Sequence, residues 1–239
     1  MLHDLGDWDQ LLSVAEEVTA AATAEGGSYD GVIASTYAAQ VRVRRGAVAE
    51  ARDLCERFLP AAREIEDLQV LVPALAVGGL VEQAQGNGAQ AAQLVRELEQ
   101  VTQGRPFWRA RCLPDAVRIA LSANDHALAT ALLDGVESAI PRNAHSLLSA
   151  QAVLAEARSE LERASALYGE AATRWSEFGF ALEQGQALLG AGRCLLALGA
   201  VPAATVQLTT AQALFDQLGA RPLAGETGLL LSRAVARSA

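Results

Sequence analysis

Three histidines, three cysteines and a set of glycines are the first residues to test for chemistry. His3, His126 and His145 stand far apart, and none shares a helical face with a carboxylate pair at metal-ligand spacing. Cys55, Cys112 and Cys194 are odd in number, contain no CxxC pair, and each falls in an apolar helical pattern, which predicts buried free thiols. Cys112 has no histidine nearby in sequence to make it a nucleophile. Gly185, Gly190 and Gly192 carry the spacing of a phosphate loop only superficially, because no strand precedes them and they lie mid-helix, where close helix packing explains them. No cofactor, metal or catalytic constellation is predicted, and the chain is read as a non-enzyme.

Charge narrows the field further. All 19 basic side chains are arginine, so a phosphate-loop lysine, a Schiff-base lysine and a lysine general base are all excluded. A net charge of −9 disfavours nonspecific binding to nucleic acid or to an anionic membrane. No run of about 18 apolar residues suggests a membrane span, and Met1-Leu2-His3-Asp4 lacks the basic flank of a signal peptide. The expected location is the cytoplasm. Glu16-Glu17 and Glu64 to Glu66 read as solvated helix faces.

The elements behind these residues follow from a repeat. Ala51, Ala91, Ala129, Ala164 and Ala204 recur about every 35 to 40 residues, each five residues past a turn residue: Gly46, Gly86, Asn124, Ser159 and Gly199. From each alanine, apolar or small residues follow at i+4 and i+7, as in Ala51, Cys55, Phe58 and Ala204, Leu208, Ala211. That spacing sets one buried stripe on the second helix of a pair. Hydrophobic residues make up 51% of the chain and aromatics 5%, a bias toward alanine and leucine that favours helix and close helix approach.

The prediction is an all-α, right-handed α-solenoid of about five antiparallel helix pairs. A half unit covers 1–27, complete units cover 28–66, 67–104, 105–140, 141–179 and 180–220, and a capping helix covers 221–239. In the third unit the helices are expected over 106–123 and 126–139. Pro60, Pro73 and Pro114 fall inside predicted helices; each removes a backbone donor, and Pro73 and Pro114 alternatively mark later helix starts. Asp125 is expected to cap the helix after it. Trp8 begins a half unit without a first helix and is expected to be exposed, which implies a longer repeat region or a homodimer formed through that half unit. Trp175 and Phe178, one helical ridge apart, are read as packing residues, with a ligand anchor as the alternative.

The spacing of Gly192, Gly199, Ala204 and Ala211, matched in the fourth unit by Ala152, Ala164 and Ala171, resembles that of tetratricopeptide repeats. The units run longer than that family's usual length of about 34 residues. Phrases such as Arg174-Trp175-Ser176-Glu177-Phe178-Gly179 and Leu218-Gly219-Ala220-Arg221-Pro222 look like the C-terminal repeat regions of actinobacterial signalling ATPases with adenylate/guanylate cyclase domains, or of LuxR-type regulators. No cyclase, ATPase or DNA-binding motif accompanies them.

The resemblance implies that the first helix of each pair lines a concave groove. It places there Thr36, Gln40, Arg44, Gln83, Arg111, Arg118, Ser149, Glu156, Gln186 and Arg193. Four arginines would suit an acidic protein or peptide partner, or they would pair with glutamates of neighbouring units. The family's lysine/asparagine carboxylate clamp is not reproduced. Three readings follow: a protein- or peptide-binding or signal-relay scaffold, a domain sensing a small anionic effector in the groove, and the repeat part of a transcriptional regulator.

Overall fold

Five residues between paired helices set the architecture. Gly46, Gly86, Asn124, Ser159 and Gly199 all take the left-handed conformation, with φ of 82°, 84°, 59°, 61° and 78°. In each turn the next N–H returns to a carbonyl five residues back: Ala47 to Arg42 at 2.8 Å, Asn87 to Glu82 at 2.9 Å, Asp125 to Ala120 at 2.9 Å, Glu160 to Ala155 at 3.0 Å and Ala200 to Leu195 at 2.9 Å. This bond closes the carbonyls that a helix end leaves open and turns the chain back on itself.

The computed structural model describes residues 2–24, 28–137 and 139–238, and all regular elements among them are helical. They are α1 (Leu2–Leu5), α2 (Trp8–Ala24), α3 (Tyr29–Arg44), α4 (Val48–Ile65), α5 (Leu68–Ala84), α6 (Gly88–Val101), α7 (Leu113–Ser122), α8 (His126–Ala131), α9 (Pro141–Ala157), α10 (Leu161–Phe178), α11 (Ala181–Ala197), α12 (Val201–Leu218) and α13 (Arg221–Ser238). Two 3-10 turns, Pro106–Trp108 and Ala110–Cys112, precede α7. Each helix from α2 to α13 packs on the next in sequence except across the α8–α9 connection, where α7 meets α9 instead. The odd-numbered helices α3, α5, α7, α9 and α11 also touch in succession and form the inner layer. The protein is an all-α solenoid.

Small residues let these layers approach. The five recurring alanines are fully buried. On α11, a Cβ at Gly185, Gly190 or Gly192 would lie 2.7 Å from Phe215, 2.4 Å from Tyr168 and 2.5 Å from Leu208, respectively. Those glycines therefore serve helix packing and form no phosphate loop. Pro60 and Pro73 sit inside α4 and α5. Asp125 accepts from the Leu128 N–H at 3.0 Å and caps α8.

The third unit departs from the predicted helices. Residues 106–112 form turns, and α7 starts at Leu113 with Pro114 in its first turn, where a missing N–H leaves no helical bond unmade. The second helix ends at Ala131 and not near 139. The buried Arg109 explains this early stop. Its guanidinium donates to the carbonyls of Leu132 at 2.7 Å, Ala131 at 3.3 Å and Asp134, and Gly135 then turns with φ 70°.

The ends of the array meet, which corrects the expectation for Trp8. Helix α13 packs on α12 and α11 and also reaches α3, while α1 reaches α11. Arg45 Nε donates to the Leu218 carbonyl at 3.4 Å, its Nη1 pairs with Asp9 at 2.7 Å, and its guanidinium lies 5.8 Å above the Trp8 ring. Trp8 is 1% exposed, and its Nε1 donates to the His3 carbonyl at 3.1 Å.

Candidate functional site

Most of the predicted groove residues meet partners from other parts of the array. Arg44 of α3 and Arg118 of α7 bracket Asp115, with Nη2–Oδ1 2.6 Å and Nη1–Oδ1 3.0 Å, and Arg118 also lies 3.8 Å from Glu183 of α11. Burial pushes the Asp115 carboxyl up, but the two guanidiniums outweigh it and hold the group below its usual range. Glu183 is raised, by burial and by its neighbour Asp115.

A second knot lies one unit on. Arg193 grips Glu156 through Nε at 2.7 Å and Nη2 at 3.0 Å, and reaches Glu226 of α13 at 3.0 Å. Tyr168 donates its hydroxyl to the same Glu156 at 2.6 Å. Gln83 donates to Ser122 at 2.7 Å, Ser149 accepts from Trp175 Nε1 at 2.8 Å, and Thr36 returns its hydroxyl to the Val32 carbonyl at 2.8 Å. Gln186 is buried.

Arg111 behaves differently. It sits in the Ala110–Cys112 turn with its side chain 40% exposed, packed 5.6 Å over the Tyr37 ring. Its Nη2 meets the Asp4 carboxylate at 3.3 Å, and Arg142, in the first turn of α9, holds both oxygens of that carboxylate at 3.1 Å. Arg142 in turn lies 5.0 Å over Phe180. Burial alone would raise the Asp4 carboxyl; the hydrogen bond from His3 and the two arginines reverse this and hold it well below the usual carboxylate range. Repeat register does not identify two of these residues, Asp4 and Arg142. They are 138 positions apart in sequence, so no local pattern relates them.

Around this pair the inner face opens into two spaces, with a third beside them. A small cavity of about 50 Å³ lies among Gln40, Asp4, Arg111, Asp115, Arg142 and Glu183. A cleft of about 400 Å³ lies between the turns before α7 and helices α3, α5 and α9. Another of about 440 Å³ lies between α2 and α3, and Ile33 and Tyr37 border both.

The cysteines and His145 lie in packed surroundings. Cys55 and Cys194 are buried and Cys112 is half-buried; burial pushes all three thiols up to about 12, so they are not thiolates at neutral pH. His145 packs edge-on against Trp175 and Phe178, and burial lowers its pKa. Trp175 also stacks on Phe180. Among the described residues no group of three or more His, Cys, Asp or Glu is placed to hold a metal ion, and no helix is long and apolar enough to cross a membrane.

No protein-family model and no curated protein matches the sequence. Among solved structures the fold is similar to BtubC (BKLC) from P. vanneervenii, with TM-score 0.54 and 16% identity over 87% of this chain and 90% of that one. It is also similar to a Signal Transduction ATPase with Numerous Domains (STAND) protein with a tetratricopeptide repeat sensor from Pyrococcus horikoshii, with TM-score 0.53 and 13% identity over 86% of this chain. The chain spans 32% of that protein's length. At these identities the likeness concerns the fold alone: the chain has a tetratricopeptide-like helical repeat architecture.

Proposed function

We propose that the chain is a non-catalytic helical-repeat module whose inner face binds an acidic segment of a partner protein. The observation that carries this reading is the docking of Asp4. A short acidic segment already lies on the inner face, with its carboxylate shared by Arg111 and Arg142. Arginine forks recognise carboxylates with two parallel bonds, and a partner carboxylate would use the same donors. Arg44, Arg118 and Arg193 support the site from within; their pairs with Asp115, Glu183 and Glu156 hold the inner helices in register. The likeness to a protein described as a signal-transduction ATPase with a tetratricopeptide repeat sensor is compatible with a place in a multidomain signalling protein, where such a module would relay partner binding to other domains.

The test is fluorescence anisotropy with a labelled peptide of sequence Leu-His-Asp-Leu-Gly-Asp, copied from residues 2–7. The variant Asp4→Asn should bind it at least tenfold more tightly than the wild type, and an Asn-substituted peptide should not bind. Equal affinity for both proteins would reject the site. ATP hydrolysis or cyclisation by the purified chain would contradict the non-catalytic reading.

A further inference from the structure

We propose that the cleft beside the turns of residues 106–112 is a small-molecule site for an amphipathic monocarboxylate, an organic acid with an apolar or aromatic body. The site originates in the break of the third unit. Where the other units continue the inner layer with a helix of 16 or 17 residues, α7 has only 10. The space that its missing turns would fill stays open as the cleft of about 400 Å³, within the range of small-molecule sites.

The lining has two distinct ends. Ile33, Leu68, Val70 and Pro73 form apolar walls, and Phe107 stands at the rim with 54% of its surface exposed, edge-on to Trp108 with ring centres 5.6 Å apart. The polar end carries Arg111 and Arg142. Phe107 and Ile140, both exposed, give this opening an apolar edge.

Charge selects the head group. Two guanidiniums, Arg111 and Arg142, share one carboxylate, Asp4, which leaves one positive charge in excess. The neighbouring acids Asp115 and Glu183 are shared with Arg44 and Arg118, so four guanidiniums still face three carboxylates. Arg111, 40% exposed, keeps guanidinium surface within reach of the cleft. A single carboxylate on the ligand meets it with one negative charge, whereas a phosphate dianion would bring more charge than the apolar walls tolerate. The remainder of the ligand must be apolar to match Ile33, Leu68 and Phe107.

This site shares Arg111 and Arg142 with the acidic-segment reading and goes beyond it, and each reading has its own probe. The probe here is decanoate below its micelle concentration, titrated calorimetrically into the full chain, with decan-1-ol as the uncharged control. Saturable one-to-one binding is expected, at least tenfold weaker for decanol and at least tenfold weaker in Arg111→Gln. Phe107→Asp, at an exposed position that leaves the core untouched, should weaken decanoate by a similar factor and serves if Arg111→Gln fails to fold. Absence of saturable binding, equal affinity for decanol, or unchanged affinity in the folded variants overturns the assignment, whatever the acidic peptide does.

Discussion

Replacing Gly190 by alanine should destabilise the fold even though alanine is the better helix former. The intrinsic gain is about 1 kcal/mol. Against it, the new methyl would sit 2.4 to 2.6 Å from three atoms of the Tyr168 ring. That ring is 1% exposed and has no free volume to enter, so overpacking costs about 1 to 3 kcal/mol. Moving the ring also strains its 2.6 Å hydrogen bond to Glu156, and losing a bond to a charged acceptor costs about 1.5 to 3 kcal/mol. Taken together, Gly190→Ala should cost about 3 kcal/mol, a fall in Tm of roughly 6 to 12 °C for a chain of this size. The matched control lies one residue past the tyrosine. A Cβ at Gly169 on α10 would meet nothing within 4 Å, so Gly169→Ala should stabilise by about 0.8 to 1 kcal/mol. Urea unfolding of both variants followed by circular dichroism reads the difference. If Gly190→Ala is as stable as Gly169→Ala, the reasoning that glycine serves helix approach on α11 fails.

Three further outcomes follow from the same geometry. Leucine at the fully buried Ala164 or Ala204 should cost roughly 1 to 3 kcal/mol by overpacking, measured as a lower urea midpoint with unchanged slope. Arg109→Met should cost about 3 kcal/mol, because the carbonyls of Ala131, Leu132 and Asp134 lose their donor; hydrogen exchange should then speed up first in α8. Asp4 carries a pH signature: its folded pKa lies below the unfolded value of about 3.9, so its stabilisation is fully present above that value and is lost as pH falls below about 4 toward the folded pKa. Acid titration of Asp4→Asn should therefore lose less stability below pH 4 than the wild type, and parallel curves would contradict the ion pair.

The helical array was legible because its signals are local. A glycine, asparagine or serine five residues before a buried alanine needs only neighbouring backbone to adopt its turn, and all five turns take the left-handed conformation. The stripe of Ala164, Tyr168 and Ala171 is likewise read within one helix, and all three are buried. The third unit was not legible in this way. Pro106 and Pro114 signal a break, but the early end of α8 depends on Arg109, whose guanidinium reaches carbonyls 22 to 25 residues further on. Exposed arginines and a buried capping arginine look identical in a helical pattern.

The candidate site lies at the far end of that scale. Arg111 is identifiable as an inner-face arginine from repeat register, yet its role follows from Asp4, 107 positions away, and from Arg142. Those contacts exist because the array turns until its ends meet, which brings Gly6 against Leu218 and Arg45 against Leu218 and Trp8. Closure of the array is the sum of small angles at every helix pair, and no single residue encodes it. The same closure sets the electrostatics. It delivers one carboxylate to two guanidiniums and leaves Arg111 40% exposed, whereas Arg44, 12% exposed, is enclosed against Asp115. A charge retained in solvent reach at the edge of an apolar cleft can still bind, and a charge enclosed with its counter-ion can only hold the helices together. That difference in access, more than the number of arginines, separates the binding residue from the structural ones on this surface.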